Sequence, residues 1–94
     1  MTEEPAVELG VGFADDDVVV LLDGQEVWRR QGVSTNYSVG IADVVHLPGP
    51  GTLEVRVRDH VLSGRVGPDM ARLRVDLDPS GAPRLHAAPE GPVF

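Results

Sequence analysis

Three consecutive aspartates, Asp15, Asp16 and Asp17, form the densest group of side chains that could bind a metal ion. Calcium takes six or more oxygen ligands, and acidic loops can supply several of them. The acidic residues around this run do not follow the spacing of an EF-hand loop. A solvated acidic turn is the simpler interpretation, so the three aspartates are kept only as candidates for a calcium site.

The other residues that could do chemistry are scattered along the chain. His46, His60 and His86 do not have the spacing that brings two metal ligands to one side of a strand or helix. There is no cysteine, and no serine lies in a nucleophile elbow. Asp59, His60 and Ser63 are close in sequence, but three neighbours in one loop rarely have the geometry of a catalytic triad. We therefore expect a non-enzymatic protein without a cofactor, and an enzyme is the last alternative.

The most informative motif is Asp23-Gly24, which follows the apolar run 18–22. Both residues tolerate a positive φ, so the motif predicts a two-residue hairpin turn. Such a turn sets the register of the returning strand, residues 25–30. The predicted opposed pairs are Leu22 with Gln25, Leu21 with Glu26, Val20 with Val27, Val19 with Trp28, Val18 with Arg29 and Asp17 with Arg30.

This register predicts apolar side chains on both faces of the hairpin. One face holds Val18, Val20, Leu22 and Val27. The other holds Val19, Leu21 and Trp28, between the opposite charges of Asp17 and Arg30. A two-layer sandwich buries one face of each strand, so the second face must contact a loop, the C-terminal tail or another molecule. Tryptophan beside arginine is typical of protein interfaces, which predicts an interaction surface made by Val19, Leu21, Trp28 and Arg30.

Three interpretations of this surface stay open. Trp28 is covered within its own chain, because large aromatic side chains usually are, or it contacts a protein partner, including a second copy. Alternatively, Trp28 stacks on sugar rings as in a carbohydrate-binding module, with the turn at 15–17 holding calcium. We prefer a binding or assembly module. The apolar tail 92–94 would either dock on its own sheet or bind a partner.

The elements that position these residues are predicted to be strands. Apolar and polar residues alternate with a period of two, and no stretch has the apolar spacing of a helix. The predicted strands are 7–13, 18–22, 25–30, 36–47, 52–59, 71–77 and 84–88, with a short edge segment at 65–68. About seven short strands with frequent turns predict an all-β fold, a small antiparallel β-sandwich.

This strand pattern resembles immunoglobulin-like and fibronectin type III-like modules. The chain departs from the immunoglobulin pattern because it has no cysteine pair, and its single tyrosine, Tyr37, lacks the context of a tyrosine corner. The resemblance therefore implies a sandwich fold and no particular activity. With 94 residues there is room for one core. We expect a single domain over 1–94 with short flexible ends at 1–5 and 89–94.

The chain is acidic, with a formal net charge of −7. Such a charge repels nucleic-acid phosphates and anionic membranes, so we expect neither as a partner. Protein partners, self-association and glycans stay possible. All eight basic residues are arginine, which favours a GC-rich bacterial source. Residues 1–5 include two glutamates and no apolar run, which predicts a cytoplasmic location as written, or an extracytoplasmic one if a presequence has been removed.

Overall fold

The computed structural model describes residues 5–67 and 72–87. These residues form eight β-strands: β1 (Ala6–Leu9), β2 (Asp16–Leu22), β3 (Gln25–Val33), β4 (Asp43–His46), β5 (Gly51–Val57), β6 (His60–Val66), β7 (Arg72–Leu77) and β8 (Pro83–Ala87). The described part of the chain has no helix that could span a membrane. The predicted flexible end 89–94, with its apolar tail 92–94, lies outside the described residues, as do residues 1–4.

The strands form two four-stranded sheets that enclose one core. The first sheet has the order β4-β1-β7-β8 and the second has the order β3-β2-β5-β6. This arrangement confirms the predicted all-β sandwich. The strands pair antiparallel except β1 and β7, which run parallel. The sequence does not reveal this exception, because a strand alternates with period two in either orientation.

The core lies between the sheets and is filled mainly by valine and leucine. Alternate residues of the central strands point into it, as the period of two predicts. The buried cluster of described residues comprises Val7, Leu9, Phe13, Val18, Val20, Val33, Val45, Leu47, Leu53, Val55, Val57, Val66, Leu73, Val75 and Leu77. β-Branched valine suits a pleated surface. A core of this kind therefore fills the space between the sheets with few aromatic residues.

The predicted hairpin turn is present between β2 and β3. Asp23 and Gly24 have φ angles of 51° and 83°, and two successive positive values are typical of the type I′ turn. The side-chain Oδ1 of Asp23 accepts a hydrogen bond of 2.9 Å from the backbone N–H of Thr52. The turn is therefore held against the start of β5. The first two predicted pairs are confirmed: Leu22 with Gln25 and Leu21 with Glu26.

The hairpin of β5 and β6 is longer than the sequence predicts. Arg65 and Val66 of the predicted edge segment 65–68 are the end of β6, which begins at His60 after a turn of Arg58 and Asp59. Residue 68 lies outside the described residues. This turn contains no glycine, proline or asparagine, although Arg58 has a φ of 55°. Gly64 also interrupts the apolar series at the inward position where Leu85 of β8 packs. Because of these two features, the alternation of apolar and polar residues does not predict the full length of β6.

The predicted strand 36–47 is a strand only in its last part, β4. Residues 36–40 form a turn, in which the carbonyl oxygen of Asn36 accepts hydrogen bonds from the N–H groups of Val39 at 3.1 Å and Gly40 at 2.8 Å. The Asn36 side chain also accepts one from the N–H of Ser38 at 3.0 Å. Asparagine stabilises such turns through local side-chain bonds. The local bonds replace the strand pairing that the sequence predicts.

Four connections meet at one end of the sandwich, which we call the loop end: 10–15, 34–42, 58–59 and 78–82. Backbone hydrogen bonds of 2.9 Å join the connection 10–15 to two neighbours, from the N–H of Thr35 to the carbonyl of Phe13 and from the N–H of Leu77, at the end of β7, to that of Val11. The loop end is therefore ordered by bonds between loops as well as by the strands that lead into it.

Candidate interaction face

The outer side of the second sheet has two apolar side chains at its centre. The alternate residues Val18, Val20 and Leu22 of β2 are buried in the core. Val19 and Leu21 therefore point away from the core, and both are partly exposed. The prediction that β2 is apolar on both sides is confirmed.

Four charged side chains surround these two apolar residues, from the strands on either side of β2. They form two rows across the sheet, one of arginine and one of glutamate: Arg29, Val19 and Arg56 in the first row, and Glu26, Leu21 and Glu54 in the second. We call these six residues the candidate face. Its centre is apolar and each row has the same charge at both ends.

Each flanking strand pairs its own arginine with its own glutamate. Arg29 Nε lies 3.6 Å from Glu26 Oε1, and Arg56 Nε lies 2.5 Å from Glu54 Oε2. The arginine side chains remain 64% and 55% exposed. Exposed pairs of this kind contribute little to folding stability. The charged ends therefore stay accessible to a partner.

A β-bulge in β3 decides which side chains reach this face. Leu21 pairs with Glu26, as the turn dictates. The next pair is Val20 with Trp28, so Val27 is the extra residue of the bulge. From this point the register differs by one residue from the predicted one. Two adjacent apolar residues do not show which of them is extra, so the sequence does not reveal the bulge.

The bulge moves Trp28 away from its predicted position. The prediction places Trp28 beside Val19 and Leu21 on the outer side, but its partner Val20 is fully buried on the inner side. Trp28 is partly buried and packs against the core, as does Val27. The predicted grouping of Trp28 with the outward residues is therefore wrong.

The bulge also places two charged residues on the same side of the sheet. Glu26 and Arg29 are three positions apart and would point to opposite sides in a regular strand. With Val27 as the extra residue, Glu26 lies beside Leu21 and Arg29 lies beside Val19. The bulge thus brings Arg29 to the candidate face, in the place beside Val19 where a regular strand would put Trp28.

The predicted pair of Asp17 with Arg30 is also wrong. Arg30 pairs in the ladder with Val18, and a second irregularity separates Val18 from the pair of Asp16 with Val33. The guanidinium Nη1 of Arg30 donates a hydrogen bond of 2.7 Å to Asp43 Oδ2. Because Asp43 begins β4, this ion pair joins the edges of the two sheets. Arg30 therefore belongs to the side of the sandwich, not to the candidate face.

The run of three aspartates is divided between a buried ion pair and solvent. Asp16 is buried and accepts hydrogen bonds from Arg58 at 2.7 and 3.1 Å and from the N–H of Ala14 at 2.8 Å. The Arg58 hydrogen bonds lower the pKa of Asp16 against the opposing effect of burial. Asp15 and Asp17 are exposed. The described residues hold no group of three or more His, Asp or Glu side chains that could bind a metal.

The three neighbours considered for catalysis do not converge. Asp59 lies in the turn before β6 and is exposed. His60 and Ser63 lie three positions apart in β6, whose pairing with β5 is regular, so their side chains point to opposite sides of the sheet.

The outer side of the first sheet is ionic. Its central strand β7 presents Arg72, Arg74 and Asp76 at alternate positions. Arg72 Nη2 lies 3.0 Å from Glu8 Oε1, and Asp76 Oδ2 lies 2.6 Å from His86 Nε2. Burial raises the pKa of Asp76, but hydrogen bonds from a backbone N–H, His86 and Arg74 together outweigh it and lower the pKa.

Sequence reasoning identifies the apolar centre of the candidate face but not its charges. Glu54 and Arg56 occupy outward positions of the predicted strand 52–59, yet nothing local shows that β5 pairs with β2. Val61 of β6 is also missed. It pairs with Arg56 and is 62% exposed, so it continues the arginine row toward the edge of the sheet.

No protein-family model, curated protein or solved structure matches this chain.

Proposed function

We propose that this chain is a non-enzymatic binding module that contacts another protein through the candidate face. The observation that supports the proposal is the outward position of Val19 and Leu21 at the centre of a sheet, within a border of charged side chains. An apolar centre inside a polar rim is the usual anatomy of a protein interface.

The first sheet provides the contrast. Its strand β7 presents Arg72, Arg74 and Asp76 where β2 presents valine and leucine. These three side chains already have partners within the sheet and its loops. A second protein would have to break those bonds, whereas Val19 and Leu21 lose only contact with water. The hydrophobic effect therefore favours contact on the second sheet.

Val61 enlarges the apolar part of this surface. It lies beside Arg56 in the edge strand β6 and is 62% exposed. Val19, Leu21 and Val61 together offer a partner apolar contacts from β2 to the edge of the sheet.

The carbohydrate alternative gains no support from the positions of the residues it requires. Trp28 packs against the core instead of standing out from the sheet. The carboxylate of Asp16, in the middle of the acidic run, forms an ion pair with Arg58. We therefore favour a protein partner over a glycan.

The test is site-specific photo-crosslinking in the cells that naturally make the protein. A photo-crosslinking amino acid in place of Val61 should give a defined adduct. The same group in place of Arg84, whose side chain is 74% exposed on the first sheet, should give none. Adding Leu21→Glu should remove the Val61 adduct, because a charge at the centre of the interface costs binding free energy without a partner.

Circular dichroism and the melting temperature should show that the Leu21→Glu protein keeps its fold. Equal crosslinking from positions 61 and 84 would contradict the proposal. So would an adduct that persists in the folded Leu21→Glu protein.

A further inference from the structure

The two rows of the candidate face have opposite charge and matching geometry. Arg29 and Arg56 lie one strand to either side of Val19, and Glu26 and Glu54 lie one strand to either side of Leu21. Neighbouring strands are about 4.8 Å apart and residues i and i+2 are about 7 Å apart. The pattern is therefore a small rectangle with positive charges along one side and negative charges along the other.

We infer that the partner is a second copy of this chain, bound face to face about a two-fold axis. This inference rests on the proposed function, because it uses the same face. The axis runs across the strands, between Val19 and Leu21, in the plane of the interface. Rotation about it turns the second copy over and exchanges its two rows, so that each arginine row meets a glutamate row.

The rotation creates matched contacts in each half of the dimer. They are Arg29 with the second copy's Glu26, Arg56 with its Glu54, and Val19 with its Leu21. Opposite charges meet at every charged position of the candidate face, and apolar side chains meet at its centre. Two sheets packed in this way keep their strands roughly aligned, as in the common class of face-to-face sheet packing.

The charged ends are free to make these contacts. The side chains of Arg29 and Glu26 are 64% and 49% exposed, and those of Arg56 and Glu54 are 55% and 29% exposed. Their bonds within one chain are exposed ion pairs, which contribute little. Exchanging them for pairs between chains therefore costs little, while the apolar centre loses its contact with water.

The charge pattern argues against a partner of uniform charge. A strongly basic protein would suit the net charge of −7, but it would be repelled by the arginine row. An acidic protein would be repelled by the glutamate row in the same way. A partner must present both charges in two rows, and a second copy of this face does so.

The size of the face sets the expected strength. The whole outer side of the second sheet, four strands about 4.8 Å apart and about six residues long, gives roughly 400 Å² of projected area per copy. This is about half the area per partner of a standard specific interface and falls in the range of weak, transient contacts. We therefore expect a dimer that forms at tens to hundreds of micromolar and dissociates on dilution.

The experiment is sedimentation velocity from about 10 to about 500 µM, with two complementary variants. One carries Arg29→Glu and Arg56→Glu, so that both rows are acidic. The other carries Glu26→Arg and Glu54→Arg, so that both rows are basic. The natural chain should dimerise with concentration, and each variant alone should stay monomeric. An equimolar mixture should form a one-to-one complex, because every charged position then meets its opposite again.

The matched control is Arg72→Glu with Arg84→Glu, which makes the same change in net charge on the first sheet. It should still dimerise. If the double variants do not fold, Arg56→Glu alone and Glu54→Arg alone make the same comparison, because one swapped pair is restored in their mixture.

The outcomes separate this inference from the proposed function. A Val61 adduct of twice the 10.0 kDa chain mass together with the mixed complex supports both. If the natural chain stays monomeric and the Val61 adduct has another mass, self-association is overturned. The proposed binding to another protein through the candidate face then still holds. Dimers that persist in both variants place the contact elsewhere and overturn the inference. If neither dimer nor adduct forms, both proposals fail.

Discussion

Gly12 shows how one residue fixes the path of the loop between β1 and β2. Its φ is 94°, and a Cβ atom added to it would lie 2.4 Å from the carbonyl oxygen of Leu77. That oxygen belongs to backbone at the end of β7, so it cannot move aside as a flexible side chain would. The loop passes close to β7 only because residue 12 has no side chain.

Replacing Gly12 by alanine should therefore destabilise the fold. The positive φ and the backbone contact together should cost about 2–4 kcal/mol of unfolding free energy. Gly24→Ala is the matched control, because Gly24 has a φ of 83° and no described atom lies within 4 Å of an added Cβ. It should cost about 1–2 kcal/mol. Urea titration measures both, and equal losses would contradict the role given to the Leu77 carbonyl.

At the scale of elements, the β2–β3 hairpin shows which strand pairs the sequence predicts and where the prediction fails. Asp23-Gly24 predicts the turn, and the turn predicts the first two pairs correctly. The prediction fails at Val27, where the bulge adds one residue. Val27 and Trp28 both pack against the core. Because both are apolar, their residue types do not show which of the two is the extra residue of the bulge.

This bulge can be tested by deleting one residue. Without Val27, Glu26 still pairs with Leu21 and Trp28 still pairs with Val20, so the ladder becomes regular. We expect the protein to stay folded and to lose about 1 kcal/mol, for the apolar contact that Val27 makes. The melting temperature and circular dichroism measure the change.

Deleting Arg56 is the control. This residue is itself exposed, but β5 pairs regularly with strands on both sides. Its deletion shifts part of β5 by one position, which turns buried side chains outward. The control protein should not fold. A chain lacking Val27 that unfolds as completely as the chain lacking Arg56 would show that Val27 is not the extra residue.

At the scale of the whole molecule, pairing between distant parts of the chain decides what the candidate face contains. Alternation in β2 predicts that Val19 and Leu21 point outward. Glu54 and Arg56 of β5 reach them only because β5 pairs with β2. In the sequence these two strands are separated by the hairpin turn, β3 and β4. Such long-range pairing depends on the packing of the whole sandwich. The sequence therefore predicts the fold class and the apolar centre, but not the charged rows.

The loop end of the molecule is where its stability depends on charge. Hydrogen bonds to Asp16, Asp76 and Asp78 lower the pKa of each. The pKa of Asp78 is lowered to about 2, chiefly by the hydroxyl of Ser80 and then by the backbone N–H of Ala82. In its ionised form Asp16 holds Arg58, Asp76 holds the N–H of Val11, and Asp78 holds Ser80 and Ala82 of its own connection.

Because these pKa values are lower in the folded chain, the folded state binds fewer protons than the unfolded state. Their contribution is fully present above the unfolded pKa of about 3.9 and is lost as the pH falls through the folded pKa, which is about 2 for Asp78. The urea midpoint should therefore drop steadily between about pH 5 and about pH 2. Asp78→Asn should have a lower urea midpoint than the natural chain at about pH 5. The difference in midpoint should have largely narrowed at about pH 2, where the Asp78 carboxyl is half protonated. A gap that stays constant would show that the ionised carboxylate does not hold this loop.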